Sequence, residues 1–128
     1  MLIVTRHRTT AATVADVMAA VDTLVELVTI APGFVSIEVG RSPDDPDLLV
    51  VVSSWEDAGS ARRGLTSSDV RLACWALFAA AIDEPTSFES VVRATTDGVV
   101  RGDSALAADV DFVRLGEAAG PDVETAQW

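Results

Sequence analysis

The stretch Leu48–Trp55 constrains the fold more than any other. Leu48, Leu49, Val50, Val51 and Val52 follow one another without a polar break, so a strand here is apolar on both faces. An antiparallel strand with one wetted face alternates apolar and polar residues instead. Both sides of the sheet that holds this strand must therefore be covered. A chain of 128 residues has the length of one domain and buries roughly two-thirds of its unfolded surface. Its helices suffice for one side of a sheet only. The second cover is expected to be another copy of the chain, sheet face against sheet face.

The elements around that strand follow from periodicity. Leu2–Arg8 reads as a first strand, with Leu2, Val4, Arg6 and Arg8 on one face and Ile3, Thr5 and His7 on the other. Val14, Val17, Met18, Val21, Leu24, Val25 and Val28 recur at spacings of three and four, which predicts an amphipathic helix. Thr13 and Asp16 fit a capping box at its start, and Pro32-Gly33 ends it. Phe34–Arg41 is a second strand, with Val35, Ile37 and Val39 set against Phe34, Ser36 and Glu38. Two prolines and three aspartates make 42–47 a loop. Ser54 or Glu56-Asp57 opens a short helical segment to about Gly64, with Arg62 and Arg63 where cations suit the helix dipole. Ser67 or Ser68 caps a helix Asp69–Ile82, apolar nearly all round from Leu72 and so expected to bury more than one face. Asp83-Glu84-Pro85 stops it, and Phe88–Ala94 is the fourth strand.

The order β-α-β-β-α-β is the ferredoxin-like split βαβ arrangement, an α+β fold with a four-stranded antiparallel sheet and two helices on one face. It spans residues 1–94, and residues 95–128 form a polar, acidic C-terminal extension. Within that extension Val110–Leu115 reads as an extra edge strand and Pro121–Trp128 as a loose tail.

Charge and cysteine usage exclude several functions. Nine arginines and no lysine face 20 acidic residues, a net charge of −11. Such a chain repels nucleic-acid phosphates and anionic membrane surfaces. The longest apolar run, Leu72–Ile82, falls well short of the ~18 residues that mark a membrane span. The N-terminus lacks the pattern of a secretory signal, so a cytoplasmic location is expected. Cys74 is the single cysteine and His7 the single histidine, which leaves neither a disulfide nor a Cys/His metal cluster; no metal is expected. The absence of lysine amid abundant Ala, Val, Asp and Arg resembles a GC-rich bacterial coding bias.

Several local features together resemble the antibiotic biosynthesis monooxygenase superfamily of dimeric α+β barrels. They are the strand Leu2-Ile-Val-Thr-Arg-His7, the helix end Ala31-Pro-Gly-Phe34, the junction Ser54-Trp55-Glu56-Asp57, the helix opening Ser67-Ser-Asp-Val70 and the strand Pro85-Thr-Ser-Phe-Glu-Ser-Val-Val92. The likeness covers about residues 1–94. It implies a homodimer through the sheet faces and, in each subunit, a pocket between helices and sheet. Activities known in the superfamily include cofactor-independent oxygenation of polyketide-type phenols and anthrones, quinol oxidation and haem degradation. The expectation is a monooxygenase without cofactor that acts on a planar, apolar aromatic molecule. The rival expectation is a non-catalytic ligand-binding or structural dimer on the same fold.

His7 is the one side chain whose ordinary pKa suits proton transfer near neutrality. In the functional reading it removes a phenolic or anthrone proton, and the resulting carbanion reduces O2 directly. In the plainer reading it is a hydrogen-bonded histidine of the strand. Trp55 either stacks on an aromatic substrate and donates its indole N–H to an oxyanion, or fills the core. Trp75 and Phe78 would form the pocket wall, and Arg71 and Arg93 could orient an acidic or enolate oxygen; otherwise they are core aromatics and solvated arginines. Cys74 reads as a small buried hydrophobe. The pairs Asp44-Asp45 and Asp83-Glu84 sit beside prolines and read as loop residues. Haem-degrading relatives carry an iron-binding histidine at the position that here is Trp75, which has no lone pair to offer a metal. They also carry an asparagine where this chain has His7. Haem is therefore not expected.

Overall fold

In the computed structural model, which describes residues 1–102, strand β1 (Leu2–Arg8) pairs antiparallel with β3 (Leu48–Trp55), His7 opposite Leu49 and Leu2 opposite Ser54. β2 (Phe34–Arg41) flanks β3 on its other side, and β4 (Ser87–Phe88) pairs with the start of β1. The order β2-β3-β1-β4 is that of the expected ferredoxin-like sheet. The described residues form two units, Met1–Phe88 and those from Glu89 on. The expected strand Val110–Leu115 and the tail Pro121–Trp128 lie outside the described residues.

Alternation sorts the β3 side chains. Leu49, Val51, Ser53 and Trp55 are buried towards the helices, while Leu48, Val50 and Val52 stay half-exposed on the opposite face. Helix α1 (Val14–Val28) lays Val17, Ala20, Val21, Leu24 and Val28 on the covered face as one buried stripe. The core is completed by Ala61 of α2 (Ala58–Leu65), Val70 of α3 (Ser68–Ala73), Cys74, and Leu77 of α4 (Trp75–Ala79). Asp57 caps α2 by accepting the Ser60 N–H at 2.7 Å, and Ser67 caps α3 by accepting that of Val70 at 3.3 Å.

Four local expectations need correction. The capping box at α1 does not form: the Thr13 hydroxyl accepts the Thr10 N–H at 2.9 Å and makes no bond into the helix. In β2 the pairing slips between Phe34 and Ser36, so a bulge turns Phe34 inward with Ile37 and Val39 and leaves Val35 exposed. The helix expected over Asp69–Ile82 is broken at Cys74, whose φ of −115° and ψ of 19° leave the helical range. Beyond it the N–H groups of Leu77, Ala80 and Ala81 reach back only three residues, which tightens the turns. That brings Ala80 and Ile82 to the edge of β1, where they bond to Arg8 and Arg6; a straight helix would carry them away. As a result Leu72 and Trp75 stay 78% and 67% exposed, and the expected burial on more than one face is not made among the described residues.

The fourth strand differs too. Only Ser87–Phe88 joins the sheet, because β1 begins at Leu2 and has nothing further to offer. Residues beyond it form a separate hairpin of β5 (Val92–Thr95) and β6 (Gly98–Arg101), with Gly98 at a φ of 139°. Gly33 sits at a φ of 82° in the turn into β2, and a Cβ there would run into the Ser60 side chain.

Candidate functional site

The alternation of β1 sends Ile3, Thr5 and His7 to the helix side, with Leu49 and Val51 beside them on β3. His7 is 1% exposed and lies beneath α4. Its Nδ1 is 2.8 Å from the Leu77 carbonyl oxygen. A carbonyl only accepts, so Nδ1 carries the ring proton. Nε2 is then a bare lone pair, and the Thr5 hydroxyl at 2.8 Å donates to it. Loss of hydration in this buried place lowers the His7 pKa below the ordinary 6.5, and the Leu77 carbonyl opposes that in part. His7 is a neutral imidazole with one defined tautomer and a basic nitrogen aimed at Thr5.

Trp55 is also buried, at the other end of the same face. Its indole N–H donates to Ser53 Oγ at 2.9 Å, and its ring meets Phe34 edge to face, with centroids 5.5 Å apart. Gly64 passes so close above the ring that a Cβ there would overlap it. His7 lies opposite Leu49, and Trp55 is six residues further along β3. At about 3.3 Å per residue that separates them by roughly 20 Å. The structure does not bring His7 and Trp55 together.

The expected pocket wall is only partly assembled. Phe78 follows Leu77, whose carbonyl holds His7, and is 37% exposed. Trp75 and Arg71 lie on the exposed side of α4 and α3. Arg93 is an exposed residue of β5, in the second unit. Thr5 and the Leu77 carbonyl are the participants that sequence reasoning missed. Thr5 was within reach, two residues from His7 on the same strand face; the carbonyl becomes visible only with the helix break.

Cys74 is fully buried, and burial pushes its thiol pKa up, which keeps it protonated and unreactive. Among the described residues no three His, Cys, Asp or Glu side chains gather as a metal site, and no helix is long and apolar enough to cross a membrane. On the uncovered sheet face a depression of about 240 Å³ lies over Leu48, Leu49 and Val50, bordered by Arg6, Gly40, Arg41 and Ser42. Arg6 pairs with Glu84 at 3.3 Å and Arg8 with Asp45 at 2.9 Å. These exposed pairs are each worth less than about 1 kcal/mol.

Fold, strand order and sequence agree on one class. The chain belongs to the antibiotic biosynthesis monooxygenase family, whose sequence profile matches residues 1–74. Among solved structures it is similar to SnoaB, a cofactor-independent oxygenase from Streptomyces nogalater. That match has 22% identity, covers 70% of this chain and 94% of that one, and has a TM-score of 0.56. A conserved protein from Methanosarcina mazei Go1 matches at 20% identity over 67% and 84% of the two chains, TM-score 0.57. A further antibiotic biosynthesis monooxygenase structure matches at 15% identity over 81% and 98%, TM-score 0.57. At these identities the likeness is one of fold. No curated protein matches the chain.

Proposed function

We propose that this chain is a cytoplasmic, bacterial, cofactor-independent monooxygenase that oxidises a planar aromatic or polyketide-type small molecule, with His7 as the base. The observation that carries the reading is the His7 tautomer: a neutral ring that keeps its proton on Nδ1, hydrogen-bonded to the Leu77 carbonyl, and directs its basic Nε2 lone pair at the Thr5 hydroxyl.

Rotation of the Thr5 hydroxyl away from Nε2 opens the lone pair to an acidic C–H or O–H of the substrate. The electron-rich carbanion passes an electron to O2, the two radicals combine as a peroxide anion, and protonated His7 returns its proton to give the hydroperoxide. Loss of water leaves a carbonyl where an anthrone had a methylene, so one oxygen atom enters the product and the other leaves as water. Every electron comes from the substrate. His7 is sealed beneath α4, so substrate entry requires this five-residue helix to swing about the break at Cys74. Phe78 and Trp75 would then be brought against the aromatic rings, with Arg71 near the developing enolate. Trp55, with its N–H already bound to Ser53, supports the core in this scheme.

The subunit acts as a homodimer through its uncovered sheet face. Leu2, Val4, Leu48, Val50 and Val52 are half-exposed there, an apolar strip with no cover among the described residues. A second reading has one specific observation in its favour. Both ring nitrogens of His7 and the Trp55 N–H are satisfied internally, which suits a non-catalytic dimer. Oxygen uptake with anthrone in metal-free buffer separates the two. The enzyme consumes one O2 per anthrone, and His7→Ala lowers the rate about 100-fold or more. A rate equal to spontaneous oxidation, or unchanged in His7→Ala, identifies the binding module.

A further inference from the structure

Thr5 stands to His7 as a nucleophile stands to its base. A nucleophilic hydroxyl is recognised by three parts: the hydroxyl, a basic nitrogen within hydrogen-bond reach, and a third group that orients the base. All three lie within the first unit. The Thr5 hydroxyl donates to His7 Nε2 at 2.8 Å, and the Leu77 carbonyl fixes the ring by accepting from Nδ1 at 2.8 Å. Both ring nitrogens are thereby assigned, and Thr5 is the hydroxyl that the basic one faces.

The strand itself builds this pair. Residues two apart on β1 point to the same face, and the β-branched Thr5 side chain has few rotamers to choose from. Burial then divides the roles. His7 is 1% exposed beneath α4, whereas Thr5 is only half-buried. Thr5, not the imidazole, is the member that a molecule from solvent meets first, with the base working from behind it.

We propose that Thr5 is a catalytic nucleophile and that the chain cleaves activated carboxylic esters, aryl esters of short acids, through an acyl-Thr5 intermediate. Thr5 Oγ1 bonds to the ester carbonyl carbon as Nε2 takes the hydroxyl proton, and the Leu77 carbonyl steadies the imidazolium through Nδ1–H. The tetrahedral adduct collapses, the bond to the aryl oxygen breaks, and His7 returns its proton to that oxygen to give the phenol. Water then attacks the acyl-Thr5 ester with Nε2 again as base, which releases the carboxylic acid and restores the hydroxyl. The sum is ester plus water to acid plus phenol, and nothing is oxidised or reduced. The substrate class follows from the base. The groups bonded to the ring include no carboxylate, and burial lowers its pKa, so His7 is a weak base. A stable leaving group must make up the difference, which favours aryl esters over alkyl esters and amides. Acyl-Thr5 is itself an alkyl ester, so it forms faster than it is hydrolysed and accumulates. The activity shares His7 with the oxygenase reading and stands without it.

The probe is p-nitrophenyl acetate, added to the full-length chain. The sequence has no lysine and Cys74 is buried, so the amino terminus is the main competing site of acylation. The parent is expected to release a burst of p-nitrophenol, and acid quench followed by fragmentation of the tryptic peptide 1–6 should place an acetyl group on Thr5. Thr5→Ser keeps the hydroxyl and should be acetylated at the same position. Thr5→Val and His7→Gln should lower the burst about tenfold or more with unchanged far-ultraviolet circular dichroism. No acetyl group on Thr5 of the parent, or a Thr5→Val burst within about twofold of the parent's, overturns the proposal. The position of the adduct is read in the parent chain, so a folding defect in a variant does not imitate it. Oxygen uptake with anthrone is scored separately. A chain acetylated at Thr5 that consumes no O2 keeps this activity and loses the oxygenase, and uptake without acetylation does the reverse.

Discussion

Acidification is expected to destabilise the protein over the pH range in which His7 titrates. The folded chain holds this ring neutral, with its pKa lowered below 6.5 by burial, while the unfolded chain leaves it near 6.5. Below 6.5 the unfolded state therefore binds a proton that the folded state refuses, so stability rises with pH in that window. The contribution is fully present above 6.5 and is lost as the pH falls towards the folded pKa. Its slope approaches about 1.4 kcal/mol per pH unit where the unfolded ring is protonated and the folded ring is not. Asp57, whose carboxyl the Ser60 amide holds below its usual value, acts in the same direction but only below about pH 4. His7 is the single histidine, so the difference between the parent and His7→Leu in the window between pH 5 and 7 reports on it. Urea unfolding at constant protein concentration, at half-unit steps from pH 5 to 8, is the assay; concentration is fixed because dimerisation adds to stability. The parent should lose stability steadily below pH 6.5, and His7→Leu should be nearly flat there. Parallel profiles for the two chains would refute the reasoning, since they would mean that His7 charges in place without cost.

Other outcomes follow from the same contacts. Thr5→Val keeps the shape of the side chain but strands the Nε2 lone pair, and is expected to cost about 1–3 kcal/mol in urea unfolding. Gly64→Ala drives a methyl into the Trp55 ring and should cost about 1–3 kcal/mol, with a change in the near-ultraviolet tryptophan signal. Asp57→Ala removes the α2 cap and should cost about 0.5–2 kcal/mol by thermal or urea unfolding. Hemin titration is expected to give no saturable Soret shift, because Trp75 offers iron no lone pair and both His7 nitrogens are engaged beneath α4. A one-to-one shift abolished by His7→Ala would reverse that reading.

The sequence carried the sheet well because its strands announce themselves by burial. Leu48–Trp55 and the Val14–Val28 stripe are set by which face meets the core, and tertiary packing agrees with the local pattern. Apart from the capping box, which Thr13 forgoes for Thr10 three residues away, the misses depend on partners that are remote in sequence. Phe34 faces inward because Trp55 receives it and a bulge permits it, not because of its own place in the alternation. β4 stops at Phe88 because β1 starts at Leu2, a limit set 86 residues away. Leu72–Ile82 has no proline or glycine to mark a break, so one continuous helix was the natural reading. His7 was legible as the sole histidine on the covered face. Its tautomer was not, because that depends on a backbone carbonyl.

In the proposed reaction that carbonyl links the core to the chemistry. In an unbroken α-helix the Leu77 oxygen would accept the N–H of Ala81, four residues on. Here Ala81 bonds to Phe78 and takes a bridge position opposite His7, while only Ala80 reaches Leu77. The oxygen thus keeps a lone pair directed at the sheet, where the His7 Nδ1–H finds it at 2.8 Å. The break originates at Cys74, which has no exposure and no charged partner. In the proposed reaction this position would act at one remove: α4 turns at Cys74, the turn directs the Leu77 carbonyl at the sheet, and the carbonyl fixes which nitrogen of His7 is basic. Cys74→Ala would test the chain of causes, since nitrogen-15 shifts of the His7 ring report the tautomer directly. A variant that keeps the Nδ1–H form while its core loosens would show that the carbonyl, not the thiol's packing, is the determinant.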